Sequence, residues 1–241
     1  MALHFFKTVF TFLGIAIGSI AFAADPLLPF EAKLKATRFG AVDVHLTGTM
    51  YLRTKDNQWE FALNAKKGGI STQEVSKGTL LQDNRFLPTS YNKKARVFLI
   101  KEDIEWRFDW PKNKVTGQVK KDKLSHTIKA NTFDPLSYQL ALRQQLKTGA
   151  TELNVINLRY KNPEPHRFEV IGEELLDVDG DLIYTKIVKQ VQPQKKDTKY
   201  LIWVAPELDY ITLKFASYRK GKLKDLVEVE SLTINGQPIN L

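Results

Sequence analysis

The chain has 241 residues, with 36 Lys and Arg against 27 Asp and Glu, a formal charge of +9 at pH 7, and no cysteine. That length is ample for a hydrophobic core, and the missing thiols exclude disulfides, a cysteine nucleophile and a thiol-linked lipid anchor. A strongly basic balance favours contact with anionic partners.

Residues 1–23 read as a secretory signal peptide. A short n-region ends at Lys7, an apolar run follows from Val9 to Phe22, and Ala21-Phe22-Ala23 supplies a small-residue site with cleavage expected after Ala23. The apolar run is about 14 residues, short of the roughly 20 that a spanning helix needs. Removing 23 of 241 residues leaves 218, and losing Lys7 takes the charge to +8. Residues 24–241 are expected to form a single domain released into the periplasm, where nucleic acid is not a partner.

Beyond the leader, hydrophobicity alternates with a period of two. Ala32, Leu34 and Ala36 oppose Glu31, Lys33 and Lys35; Val42, Val44 and Leu46 oppose Asp43, His45 and Thr47. Trp59, Phe61 and Leu63 share a face, as do Ile104, Trp106, Phe108 and Trp110. Further strands are predicted over 154–160, 166–175, 182–191, 199–205, 210–218 and 226–234, with Asp179-Gly180 and Lys220-Gly221 as hairpin turns. One helix is predicted from Asp134, whose carboxylate can cap free amides, through Pro135 at the first helical position, to Gly149. Leu136, Leu140 and Ala141 form its apolar stripe, widened by Tyr138, Leu142 and Leu146. Such a lone helix packs across the concave side of a sheet or plugs an open barrel.

Three segments carry a family resemblance: Trp106-Arg107-Phe108-Asp109-Trp110, Phe133-Asp134-Pro135-Leu136-Ser137-Tyr138-Gln139-Leu140 and Trp203-Val204-Ala205-Pro206-Glu207-Leu208. With Phe86-Leu87-Pro88-Thr89-Ser90-Tyr91, they resemble the exported Gram-negative family known as domain of unknown function 3108. The resemblance implies a mainly β fold: a strongly curved antiparallel sheet, or half-barrel, with one principal helix, similar to periplasmic lipoprotein carriers. The family carries no catalytic residues to transfer.

Residues suited to catalysis or metal binding are sparse. His45, His126 and His166 are too far apart for a helical zinc pair, and no Gly-x-Ser-x-Gly elbow is present. Asp177-Val178-Asp179-Gly180-Asp181 has the wrong spacing for an EF-hand and reads as a hairpin. Adjacent Glu173 and Glu174 point to opposite faces of a strand. No metal, cofactor or catalytic residue is assigned. Two binding features remain. On a curling sheet, the aromatic face of Trp106, Phe108 and Trp110, with Tyr138 of the helix, is expected to line an apolar hollow. Lys120, Lys121 and Lys123, with Arg219, Lys220 and Lys222, are expected to form a basic rim.

Three function classes stay open in this order. The first is a non-enzymatic periplasmic carrier holding a lipid or other apolar group, with lipid, lipopolysaccharide or an envelope protein as partner. The second is an envelope assembly factor without a small ligand, and the third a hydrolase of envelope polymer.

Overall fold

Alternating side chains give each segment one apolar face, and extended backbone lets neighbouring segments bury those faces together. The computed structural model describes residues 26–159, 162–178, 180–193 and 196–240. The signal-peptide reading of 1–23 lies outside them, as does Asp179.

The first eight strands are β1 (Phe30–Arg38), β2 (Val44–Lys55), β3 (Gln58–Lys67), β4 (Ile70–Leu80), β5 (Phe86–Val97), β6 (Ile100–Asp109), β7 (Lys114–Val119) and β8 (Asp122–Thr127). A two-residue strand β9 (Thr132–Phe133) leads to the helix α1 (Tyr138–Lys147). Then follow β10 (Glu152–Arg159), β11 (Asn162–Val178), β12 (Asp181–Gln192), β13 (Thr198–Ala205), a 3-10 turn at Pro206–Leu208, β14 (Ile211–Arg219), β15 (Lys222–Ile234) and β16 (Gln237–Ile239).

Among the described residues, the sixteen strands belong to one sheet, ordered β8-β7-β6-β5-β4-β3-β2-β1-β15-β14-β13-β12-β11-β10-β9, with β16 added to β15. Pairing is antiparallel except between β9 and β10. The sheet is a half-barrel: β8 and β9 are its two edges, and residues 128–131 carry the chain from one to the other. Among the described residues no helix is long and apolar enough to cross a membrane.

Directly opposed residues in an antiparallel pair share a face, so the register defines rows across the inner surface. Phe30, Leu52, Phe61, Ser76, Tyr91 and Trp106 form one continuous row, and each is buried. Two residues along each strand lies the row Ala32, Met50, Leu63, Glu74, Lys93 and Ile104, and beyond it Leu34, Gly48, Ala65, Thr72, Ala95 and Glu102. Side chains shrink and polar groups appear along this sequence of rows. The first row is packed solid, whereas the third leaves space.

Tight packing at the first row's end of the sheet makes Gly78 obligatory. A Cβ there would lie 2.1 Å from the Leu87 carbonyl oxygen and 2.4 Å from the ring of Trp59, itself 2 % exposed. Gly78→Ala is therefore expected to lose about 1–3 kcal/mol, read as a lowered urea midpoint with an unchanged m-value. A wild-type midpoint would mean that the β5 backbone at Leu87 and the Trp59 ring both move aside freely.

The helix closes this same end. Its Leu140 joins the larger core cluster, while Ala141, Leu142 and Leu146 join a second cluster with Leu153, Val155 and Phe168. Gln144 donates to the Asn84 carbonyl in the β4–β5 turn, and Lys147 Nζ donates to the Pro26 carbonyl ahead of β1 at 3.1 Å. Arg143 and Lys147 both reach Asp209, between the 3-10 turn and β14.

Several expectations need correction. The helix begins at Tyr138, not Asp134, because residues 135–137 form turns. The Asp134 carboxylate nevertheless accepts the Leu136 and Ser137 amides, each at 2.9 Å. Val42 stands in a bend before β2 and is 81 % exposed, so it does not share the half-buried face of Val44 and Leu46. Leu175 and Leu182 lie in strands as expected, on the outlying β11–β12 hairpin, where they are exposed.

Candidate functional site

Small side chains on the third inner row create the hollow. Gly48, Ala65 and Thr72 stand between Leu34, Met50 and Leu63 on one wall, and Ile202, Phe215, Val227 and Val229 rise opposite from β13–β15. The register carries this second wall into the first, since Ile202 pairs with Phe215, Phe215 with Val227, and Val227 with Ala36. Tyr138 and Gln139, the first residues of the helix, add to the lining, as do Thr212 and Lys214 of β14. The hollow has a volume of about 330 Å³, at the lower end of the range for small-ligand sites. Its walls are mostly aliphatic and aromatic.

A polar belt adjoins the hollow. Glu74, one row from Thr72, accepts the Tyr91 hydroxyl at 2.8 Å, and Lys93 Nζ lies 3.5 Å from Glu74 and 3.2 Å from Glu102. Burial, with Glu74 beside it, pushes the Tyr91 phenol far above its ordinary range. Deeper still, Asp134 accepts hydroxyls from Ser76 and Ser137, each at 2.6 Å, as well as the two amides. These contacts tie the start of the helical segment to the middle of β4. Burial raises the Asp134 carboxyl, with the four donors working in the opposite direction.

The four aromatic residues singled out in the sequence are divided by the structure. Trp106 is fully buried, its ring 5.1 Å from that of Tyr91, and its indole nitrogen finds no hydrogen-bond partner among the described residues. Phe108 is also core, stacked on Trp110 at 6.0 Å. Trp110 donates to the Pro88 carbonyl at 2.6 Å and borders a separate cleft beside Phe86, Phe133 and Gln144. Tyr138 reaches the hollow itself, stacked on Phe168 at 5.9 Å, and burial pushes its phenol up to about 12. Nothing in the pattern of single strands marked Leu34, Met50, Ile202 or Val227 as a lining, because the hollow exists only between non-consecutive strands.

The six basic residues lie on one end of the sheet, opposite the helix. Antiparallel order sends alternate turns to the same end, so the β1–β2, β3–β4, β5–β6, β7–β8, β12–β13 and β14–β15 connections emerge together. Lys120 and Lys121 make the β7–β8 turn, with Lys123 in β8; Lys220 lies in the β14–β15 turn, flanked by Arg219 of β14 and Lys222 of β15, and all are exposed. The two groups are far apart in the strand order, with β6 to β1 between them in the sheet.

His166 is buried and lies 3.4 Å from Glu164, while His45 Nδ1 lies 3.1 Å from the Thr37 hydroxyl. Among the described residues no three His, Cys, Asp or Glu side chains are grouped to hold a metal ion.

An open, strongly curved antiparallel sheet with a helix stoppering one end defines the half-barrel class of β proteins. Within that class, the chain belongs to the family described as Protein of unknown function (DUF3108), whose model matches residues 30–221. Among solved structures it is similar to a beta-barrel-like protein of domain of unknown function DUF1849 from Brucella abortus. That match has a TM-score of 0.52 and 10 % identity, and covers 87 % of this chain and 98 % of the other. It supports the fold. Weaker superpositions, each with a TM-score of 0.30, relate the chain to two further structures. One is a DUF1329 family protein from Desulfovibrio piger, at 12 % identity with 88 % of each chain covered. The other is a porin-like protein from Bacteroides uniformis, at 10 % identity, covering 87 % of this chain and 97 % of that one. No curated protein matches in sequence.

Proposed function

We propose that this chain is a non-enzymatic carrier of the bacterial envelope, exported to the periplasm, that holds the apolar part of an amphiphile in the inner hollow. The hollow lined by Leu34, Met50, Ile202, Phe215 and Val227 carries the reading. Apolar walls provide affinity without direction, and the few polar groups of the lining, Thr47, Thr72, Gln139, Thr212 and Lys214, orient a ligand. The hydrophobic leader is in keeping with an envelope address.

Delipidated protein is expected to take up dansyl-labelled undecanoic acid with saturable fluorescence enhancement, and native mass spectrometry of protein purified from its own periplasm is expected to show a bound amphiphile. Ala36 lines the hollow from β1 and is half-buried, so Ala36→Phe fills the space without disturbing the packed first row. It should weaken uptake about tenfold, the value of roughly 1.4 kcal/mol of lost apolar contact. No uptake by wild-type protein, together with no co-purifying ligand, would overturn the carrier reading in favour of an assembly role.

A further inference from the structure

We propose that the end of the sheet opposite the helix is a membrane-docking face, with Phe98 and Leu99 at the β5–β6 turn entering the interfacial layer of an anionic bilayer. Leu99 is 92 % exposed and Phe98 68 %, and the flanking Val97 and Ile100 are exposed as well. Four successive apolar residues at a hairpin tip gain nothing in water and invite aggregation. They acquire a physical role when the tip is buried in lipid.

The turn's backbone supports that reading independently. Val97 pairs with Ile100, so Phe98 and Leu99 are the two central residues of the hairpin, and Phe98 has φ 54°. Left-handed backbone favours Gly, Asn or Asp, and a bulky side chain there is an outlier. Comparable turns in the same sheet use Gly68-Gly69, Asn235-Gly236 and Lys220-Gly221. The β7–β8 turn gives the same backbone to Lys120, φ 57°, which displays a cation at this end of the sheet, and at the β5–β6 turn the conformational penalty is accepted to display an aromatic ring.

Charge then selects the lipid. Lys66 and Lys67 precede the adjoining β3–β4 turn, which receives the Phe98 amide through the Gly69 carbonyl at 2.9 Å. Arg96 and Lys101 flank the apolar run, and all four cations are exposed. The same end carries the predicted basic rim, so an apolar tip stands among cations placed to meet phosphates. A second exposed apolar pair, Leu175 and Leu182, lies at the opposite end beside Asp177 and Asp181, and an acidic surround repels anionic lipid. The hairpin also projects: the β7–β8 turn meets β6 at Asp103, leaving Ile100 to Glu102 paired only with β5.

Residues 24–241, which contain all the described structure, are the material for the test. They are expected to float with phosphatidylglycerol/phosphatidylethanolamine vesicles and not with phosphatidylcholine vesicles, and 1 M salt should weaken the binding. F98S/L99S is expected to reduce binding about tenfold while leaving the circular dichroism spectrum and dansyl-undecanoate uptake unchanged. Because the chain lacks cysteine, an environment-sensitive dye attached through Leu99→Cys reports the tip alone and should shift to the blue on anionic vesicles. Undiminished binding by F98S/L99S, or no dye shift in vesicle-bound protein, overturns the proposal. So does an absence of vesicle binding by wild type; tip-dependent retention on an envelope protein would then reassign the face to protein docking. Uptake is read separately, so failure of the carrier reading and failure of the docking face are told apart.

Discussion

Asp209→Asn is expected to lower the free energy of unfolding by about 3–5 kcal/mol, the usual consequence of leaving a buried cation without its partner. Asp209 Oδ2 accepts from Arg143 Nη2 and from the Leu28 amide, each at 2.7 Å, while Oδ1 binds Lys147. The Arg143 Nε adds a bond to the Asp209 carbonyl at 3.1 Å. Both charged side chains are nearly inaccessible, Arg143 at 5 % and Asp209 at 4 %. Burial pulls Arg143 down to about 10, with Asp209 acting to raise it, so the guanidinium is still charged at neutral pH. Its other face lies over the Phe30 ring at 5.1 Å, which leaves water little access unless the helix moves. Asparagine preserves the shape and tolerates the left-handed backbone of Asp209, φ 55°, so the loss isolates the charge. Urea denaturation at pH 7 measures it. R143M/D209N is expected to recover part of the deficit, because the orphaned guanidinium is gone. A single-variant loss under about 1 kcal/mol would mean that the helix is held by its apolar faces alone.

The second large effect is expected at Asp134. Asp134→Ala strands two serine hydroxyls and two amides, and each unsatisfied buried group costs about 1–3 kcal/mol, giving a total on the order of 4 kcal/mol or more. Asp134→Asn separates charge from hydrogen bonding. Burial raises this carboxyl above its ordinary 3.8, so the native state retains a proton where the unfolded chain has released it. Wild-type stability therefore falls as pH rises from the ordinary value through the raised native one, and is level above it. The asparagine variant lacks that slope. Urea midpoints of the two proteins between about pH 4 and 7 should show the variant gaining on wild type as pH increases. A gap that is constant, or that moves the other way, would show that the four donors outweigh burial.

Much of the fold was legible because alternation is a local signal. Glu31 to Ala36, Gln58 to Asn64 and Ile104 to Asp109 each lie within a strand, and the stripe from Tyr138 to Leu146 lies within a helix. Strand β4 was not legible, since Ile70-Ser71-Thr72-Gln73-Glu74-Val75-Ser76 is polar on both faces. Its inward Glu74 and Ser76 are satisfied by Tyr91, Lys93 and Asp134, partners 17 to 58 residues away. The apolar run Val97 to Ile100 misleads in the opposite sense: read alone it resembles a buried strand, but it forms an exposed turn.

The same division holds for the site. Trp106 and Phe108 were visible as an apolar face, but whether a face is core or cavity depends on what packs against it, and Tyr91 and Trp110 fill that space. Leu34, Met50 and Val227 look like any core residues in sequence; they border a hollow because Gly48, Ala65 and Thr72 come into register beside them.

An antiparallel β protein with one amphipathic helix, no thiols and lysine-rich connections is readable from the chain alone, since each of these is a property of composition or short-range period. Folding in three dimensions sets the rest: the hollow lies against the first turn of the helix, the lysine-rich turns gather at the opposite end, and Phe98 and Leu99 stand among them. Those placements depend on strand order and on small register offsets accumulated from strand to strand, which no window of neighbouring residues contains.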